Sequence, residues 1–134
     1  MSLATALLVS RAKSGLDVRI SGALERVGLS FDDLRLLQTI GQSTPGPSLS
    51  VLAGVLDETG SRALRAVRPL EKLGWVDRDS GGNFMLTNSG RTLVDQSEGI
   101  AEAAAQRWFA DTGTDPAQVT TALAALHSHR AGTI

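Results

Sequence analysis

The chain has 134 residues, 42% apolar and 20% charged, enough for one globular domain with its own core and too apolar for a disordered segment. A formal net charge of −1 gives no overall attraction to nucleic acid or to an acidic membrane, and the absence of cysteine excludes disulfides, thiol redox chemistry and thiolate metal sites. With 4% aromatic residues and no Tyr, the core has to come from Leu, Val and Ala, which favours packed helices.

Residues 4–27 predict one long helix, in which Leu3, Leu7, Leu16, Ile20, Leu24 and Val27 recur at mostly helical spacing and Gly15 and Gly22 are weak points. Its apolar content is wider than one buried stripe requires, so a partner chain is expected to cover part of it. The opening MSLATALLVSRAKSG has no basic residue ahead of its short apolar core and does not fit a signal peptide. No run reaches the ~18 apolar residues of a membrane span. A cytoplasmic protein is expected.

Ser30 is placed to cap a second helix, with Asp33 reaching back in an acidic capping box and Leu34, Leu37 and Ile40 inward. GQSTPGPS (41–48) is a loop. LSVLAGVLDETG predicts a short helix capped by Ser50, with Leu52, Val55 and Leu56 inward and a turn over 57–60. A longer helix follows over 61–73, and Gly74 ends it. WVDRDSGGNFMLT then alternates about a Gly-Gly centre, the pattern of a β-hairpin. Thr87 or Asn88 caps a helix over 88–111 whose inward face is Leu93, Ser97, Ile100, Ala104 and Trp108. Asp115 as cap, Pro116 at the first helical position and Gln118 two further on start a last helix, with Val119, Ala122, Leu123 and Leu126 as its apolar face.

Two helices joined by a tight turn and followed at once by a hairpin give the winged helix-turn-helix order. The expected class is mainly α (α+β). A winged lobe over 30–87 and helices over 1–28 and 88–134 together form one domain over 1–134. The terminal helices are expected to form a dimerisation region, with Leu3, Leu7, Leu123 and Leu126 as candidate contacts between two copies.

Charge is unevenly spread. Residues 59–91 hold six basic residues (Arg62, Arg65, Arg68, Lys72, Arg78, Arg91) against three acidic ones, while the rest of the chain is net acidic. Projected at about 100° per residue, Ala63, Val67 and Leu70 fall in one inward sector of the 61–73 helix. Ser61, Arg65, Arg68 and Lys72 fall opposite, with Arg62 and Pro69 beside them. A face of one sign repels itself unless phosphate neutralises it, and arginine pairs bidentately with phosphates and guanine edges. This is also the helix that enters a major groove in such a motif. Pro69 deletes one hydrogen bond, to the carbonyl of Arg65, and predicts a bend near the helix end. The alternative is a plain solvated face with an Arg68–Glu71 pair.

The stretch LSVLAGVLDETGSRALRAVRPLEKLGWVDRDSGGNFMLTNSGRTLV resembles the central block of the MarR family of bacterial transcription regulators. The spacing from Leu52-Ala53 to Leu70-Glu71 matches without a gap, as do Gly74-Trp75-Val76-Asp77-Arg78 and Leu86-Thr87 with Gly90 after them. The flanking helices fit in number and length. The resemblance implies a homodimer with intertwined terminal helices, a palindromic operator on double-stranded DNA read by two recognition helices, and, in many members, release by a small and often aromatic ligand held between lobe and interface. Arg65 matches the family's recognition-helix arginine, whereas Arg62 and Leu64 stand where small hydroxyl residues are common. The family wing carries an Asp-x-Arg whose arginine reaches into a minor groove. The shorter DRDSGGNF has no counterpart, which leaves Arg78, at the wing's base, as a phosphate contact.

A repressor is the expected function. The second reading is a winged-helix module that binds protein and has lost DNA, favoured by the reduced wing, the modest local charge and Pro69. Trp75 and Trp108 are candidates to line a ligand cleft, with core packing as their alternative role. His127 and His129 stand two apart, which on a helix turns them away from a shared metal, so no metal or cofactor is expected. No catalytic triad, phosphate loop or paired carboxylates stand out, so no enzymatic activity is expected.

Overall fold

The computed structural model describes residues 1–132, with side chains as far as His127; His129 lies outside the described side chains. The elements are α1 (Ser2–Leu24) with a 3-10 turn (Glu25–Val27), α2 (Phe31–Gly41), α3 (Leu49–Leu56), α4 (Gly60–Lys72), β1 (Val76–Arg78), β2 (Phe84–Leu86), α5 (Asn88–Thr112) and α6 (Pro116–Gly132). This is the expected order, in the mainly helical class with a two-stranded wing.

The α1 helix buries only its C-terminal part, through Ile20 and Leu24, while residues 1–14 are all exposed. The predicted capping box starts α2: Asp33 N–H donates to Ser30 Oγ and Ser30 N–H to Asp33 Oδ2, both at 3.0 Å. Ser21 of α1 adds a third bond, accepting the Phe31 N–H at 2.9 Å, so one donor orphaned at the start of α2 is satisfied from the helix it packs on. Leu34, Leu36, Leu37 and Ile40 are buried.

One cap differs from expectation. Ser48, not Ser50, caps α3 by accepting the Val51 N–H at 3.2 Å. The inward stripe then runs at 49, 52, 53 and 56, the i, i+3, i+4, i+7 set, so Val55 faces solvent and Ala53 takes the place expected of it. Thr59 caps α4 by accepting the Arg62 N–H at 3.2 Å. Ser61 lies exposed in the first turn.

The α4 helix runs through Pro69 to Lys72 and ends as expected at Gly74, whose φ is +83°. Gly74 N–H donates to Glu71 O and Trp75 N–H to Leu70 O, both at 3.0 Å, a Schellman closure that turns the chain straight into β1. The strands pair antiparallel, with Val76 opposite Leu86 and Arg78 opposite Phe84. Asp79 organises the tight tip, its carboxylate accepting the N–H groups of Gly81 and Asn83 at 2.8 and 3.0 Å. Phe84 N–H donates to Pro47 O at 2.9 Å, so the loop before α3 also flanks β2.

Thr87 caps α5 through the Gly90 N–H at 3.0 Å. Of its predicted inward face, Ser97 and Ala104 are fully buried and Leu93, Ile100 and Trp108 half-buried, while Val94, not singled out in the sequence, is buried as well. One core joins α1, α2, α3, α4, both strands and α5, with Phe84, Leu24, Leu37, Leu52 and Val67 among its fully buried side chains. The α6 helix begins at Asp115 as expected, but none of its described side chains is buried. Among the described residues, no helix is long and apolar enough to cross a membrane.

Ser97 is fully buried, and among the described residues its hydroxyl has no hydrogen-bond partner. An unmet buried hydroxyl costs roughly 1–3 kcal/mol, and alanine fills nearly the same volume without it. Ser97→Ala is therefore expected to stabilise the fold by about 1 kcal/mol and to raise the melting temperature by a few degrees, read by thermal circular dichroism. A lower melting temperature would contradict this reading of the core.

Candidate nucleic-acid interface

The α4 helix divides cleanly into two sides. Ala63, Val67 and Leu70 are buried, while Ser61, Arg62, Arg65, Arg68, Pro69 and Lys72 are all exposed. The helix is short of apolar surface on one side and of everything else on the other, so its orientation about its own axis is fixed by the core. The outward cations follow from that orientation.

They are not equivalent. Arg62 pairs with Glu58 one turn earlier at 3.7 Å, with both side chains largely solvated, a contact worth little in water. Arg78 is held more fully. Its Nε and Nη2 donate to the two carboxylate oxygens of Glu71 at 3.2 and 3.3 Å, and its guanidinium lies 4.8 Å from the centre of the Phe84 ring. Arg65, Arg68 and Lys72 have no ion pair or hydrogen bond from their side chains among the described residues. Three unpaired positive groups therefore share about 10 Å of one helix face. The Arg68–Glu71 pair of the alternative reading does not form; Glu71 turns to Arg78 instead.

The wing beside this face is plain. Its tip, residues 80–83, contains no cation, and the Asp79 carboxylate is spent on the turn. Arg91, in the first turn of α5, is exposed. It lines a cleft of about 280 Å³ with Met85 and Asp79, a position its sequence context does not single out.

The end of α4, the wing and α5 meet at one junction. The Gly74 carbonyl accepts the hydroxyls of Thr87 and Ser89 at 2.7 and 3.2 Å, and the Trp75 carbonyl accepts the Thr87 N–H at 3.1 Å. Gly90 packs so closely on the Trp75 carbonyl that a Cβ there would collide with it. No periodicity marks these bonds, because they join residues 12 to 15 positions apart through polar atoms.

The other predicted groups lie elsewhere. Leu3, Leu7, Leu123 and Leu126 are all exposed, together with Leu8 and Val9. Trp75 is half-buried against the core. The Trp108 ring lies over α1 at Gly15 and meets Phe109 edge-on at 5.1 Å. Neither indole lines the clefts found between helices. One such cleft, of about 470 Å³, runs between Ala23 and Arg26 on one side and Gln96, Gly99, Ile100, Ala103 and Arg107 of α5 on the other. Among the described residues, no group of three His, Cys, Asp or Glu side chains is placed to hold a metal.

No family model and no curated protein matches the chain. Solved structures do. A MarR family protein of Mycobacterium tuberculosis is 32% identical, over 83% of this chain and 86% of its own, with a TM-score of 0.71. The same protein in complex with DNA aligns over 90% and 95% of the two chains, with 29% identity and a TM-score of 0.74. Its complex with salicylic acid aligns over 92% and 95%, with 28% identity and a TM-score of 0.69. A MarR family transcriptional regulator from Rhodococcus sp. RHA1 reaches a TM-score of 0.82 at 25% identity, over 96% and 94%. By identity, coverage and shared architecture, the chain belongs to the MarR family of transcriptional regulators.

Proposed function

We propose that the protein is a homodimeric, sequence-specific DNA-binding repressor that places α4 of each subunit in successive major grooves of a palindromic operator. The observation that carries this is the outward side of α4, where Arg65, Arg68 and Lys72 stand unpaired and exposed on a helix locked by its buried side. Such a face is costly to leave facing itself and suits a row of phosphates and guanine edges. The DNA complex of the Mycobacterium tuberculosis relative supports the same use here. Ser61, at the start of the helix, and Arg62 complete the proposed contact surface, with the winged lobe spanning 30–87.

The dimer rests on a different observation. The N-terminal half of α1 and all of the described part of α6 leave Leu3, Leu7, Leu8, Leu123 and Leu126 in water. Apolar surface gathered on two terminal helices is what a second copy would cover. Two subunits double the number of α4 cations that face one operator. A dimer seated on an operator excludes other proteins from it, hence repression. The salicylic acid complex of the relative supports release by a small aromatic ligand, for which the clefts flanking α5 offer room.

Arg65→Ala is expected to weaken binding to a recognised duplex by about 1–3 kcal/mol and to relax the sequence preference, whereas Lys72→Ala should weaken all duplexes alike and lower the salt slope by about one per subunit. Fluorescence anisotropy over a salt series reads both, and unchanged affinity in both variants would remove α4 as the contact. In sedimentation at micromolar concentration the expected species is a dimer. A stable monomer would contradict the two-half-site arrangement.

A further inference from the structure

We infer that Arg78 is a positioning residue: held by Glu71 and stacked on Phe84, it locks the wing against the last turn of α4 and makes no phosphate contact of its own. This rests on the DNA-binding reading and replaces the expectation that Arg78 touches the backbone.

Three elements meet at this side chain. Glu71 comes from α4, Arg78 from β1 and Phe84 from β2. Arg78 and Phe84 are directly opposite in the hairpin register, and the Phe84 ring is fully buried, so one face of the guanidinium rests on a group packed into the core. Its edge is set by the fork of two N–H···O bonds to the Glu71 carboxylate, a planar match that a lysine ammonium does not reproduce. Glu71 is itself fixed at its main chain, where its carbonyl accepts the Gly74 N–H that closes the helix. The same residue thus anchors the backbone turn into the wing and the side-chain strut across it.

Charge points the same way. To turn its two-bond fork to a phosphate, Arg78 would have to leave a carboxylate that is only 27% exposed and sits beside the DNA face, unpaired and repelling the duplex. Arg65, Arg68 and Lys72 pay no such penalty. With no cation at its tip, the wing contributes by where it stands, and the Glu71–Arg78–Phe84 strut decides where that is.

The two roles predict opposite signs. A duplex enriched from a random pool and an unrelated duplex would be titrated with the wild type, Arg78→Lys, Arg78→Gln, Glu71→Gln and the Glu71→Gln/Arg78→Gln double variant, over a salt series. For a strut, each single variant, the lysine included, lowers the ratio of specific to unspecific binding on the order of tenfold. The double variant is no worse than the poorer single one, and Arg78→Gln keeps the wild-type salt slope. The inference is overturned if Arg78→Lys behaves as wild type, Arg78→Gln lowers the slope by about one per subunit, and Glu71→Gln tightens binding to both duplexes. Should the wild type bind neither duplex at low salt, it is the DNA reading that fails. The strut is then judged on melting temperatures alone: non-additive losses for Glu71→Gln and Arg78→Gln support it, and additive ones overturn it.

Discussion

Everything the lobe presents depends on two main-chain carbonyls, those of Gly74 and Trp75. They lie where α4 has just ended and the wing has just begun, and both are claimed by the start of α5: by the hydroxyls of Thr87 and Ser89 and by the Thr87 N–H. Gly90 is required because its backbone presses on the same Trp75 carbonyl. Polar atoms in a close approach of this kind have few alternative partners, so the junction admits little play. A rotation of α5 therefore has a direct mechanical route to the recognition helix. The same α5 packs along α1 and borders the cleft lined by Ala23 and Arg26, so one helix joins that cleft to the junction.

The same economy explains how a chain of net charge −1 can carry a DNA-binding face. Glu71 holds Arg78, Arg19 is bound to Asp111 across the α1–α5 packing, and Arg62 has only a solvated contact with Glu58. Arg65, Arg68 and Lys72, without side-chain partners among the described residues, lie on one side of α4. Contact strength then comes from placement and from doubling in a dimer rather than from total charge. On the proposed reading, a surface this lean makes binding depend steeply on the geometry between α4 and the wing, which the Glu71–Arg78 pair spans.

Much of this was legible along the chain. The order of elements, the Ser30–Asp33 capping box, the end of α4 at Gly74 and the two-sided character of α4 are all local signals, spaced by three or four residues or by alternation. The errors share a cause. The run PSLS offers two hydroxyls, and only the tertiary position of the helix selects Ser48 as the cap. Val55 and Ala53 compete for one inward place, and packing chose the smaller. The bond of Arg78 to Glu71 was hidden because Arg68 is a nearer partner by helical spacing; the Schellman turn brings β1 back along α4 and makes Arg78 the better one. The exposed leucines of α1 and α6 were visible as excess apolar content, since a surplus of that kind needs no fold to be counted.

The central claim is that α4, used in pairs, reads duplex DNA. Selection of bound sites from a random duplex pool, repeated across a salt series, tests it most directly. The account predicts an enriched palindrome whose half-site centres lie about one helical turn apart, with affinity falling steeply as salt rises. A pool that stays random, with no binding even at low salt, would contradict it and leave the winged lobe as a surface for protein partners.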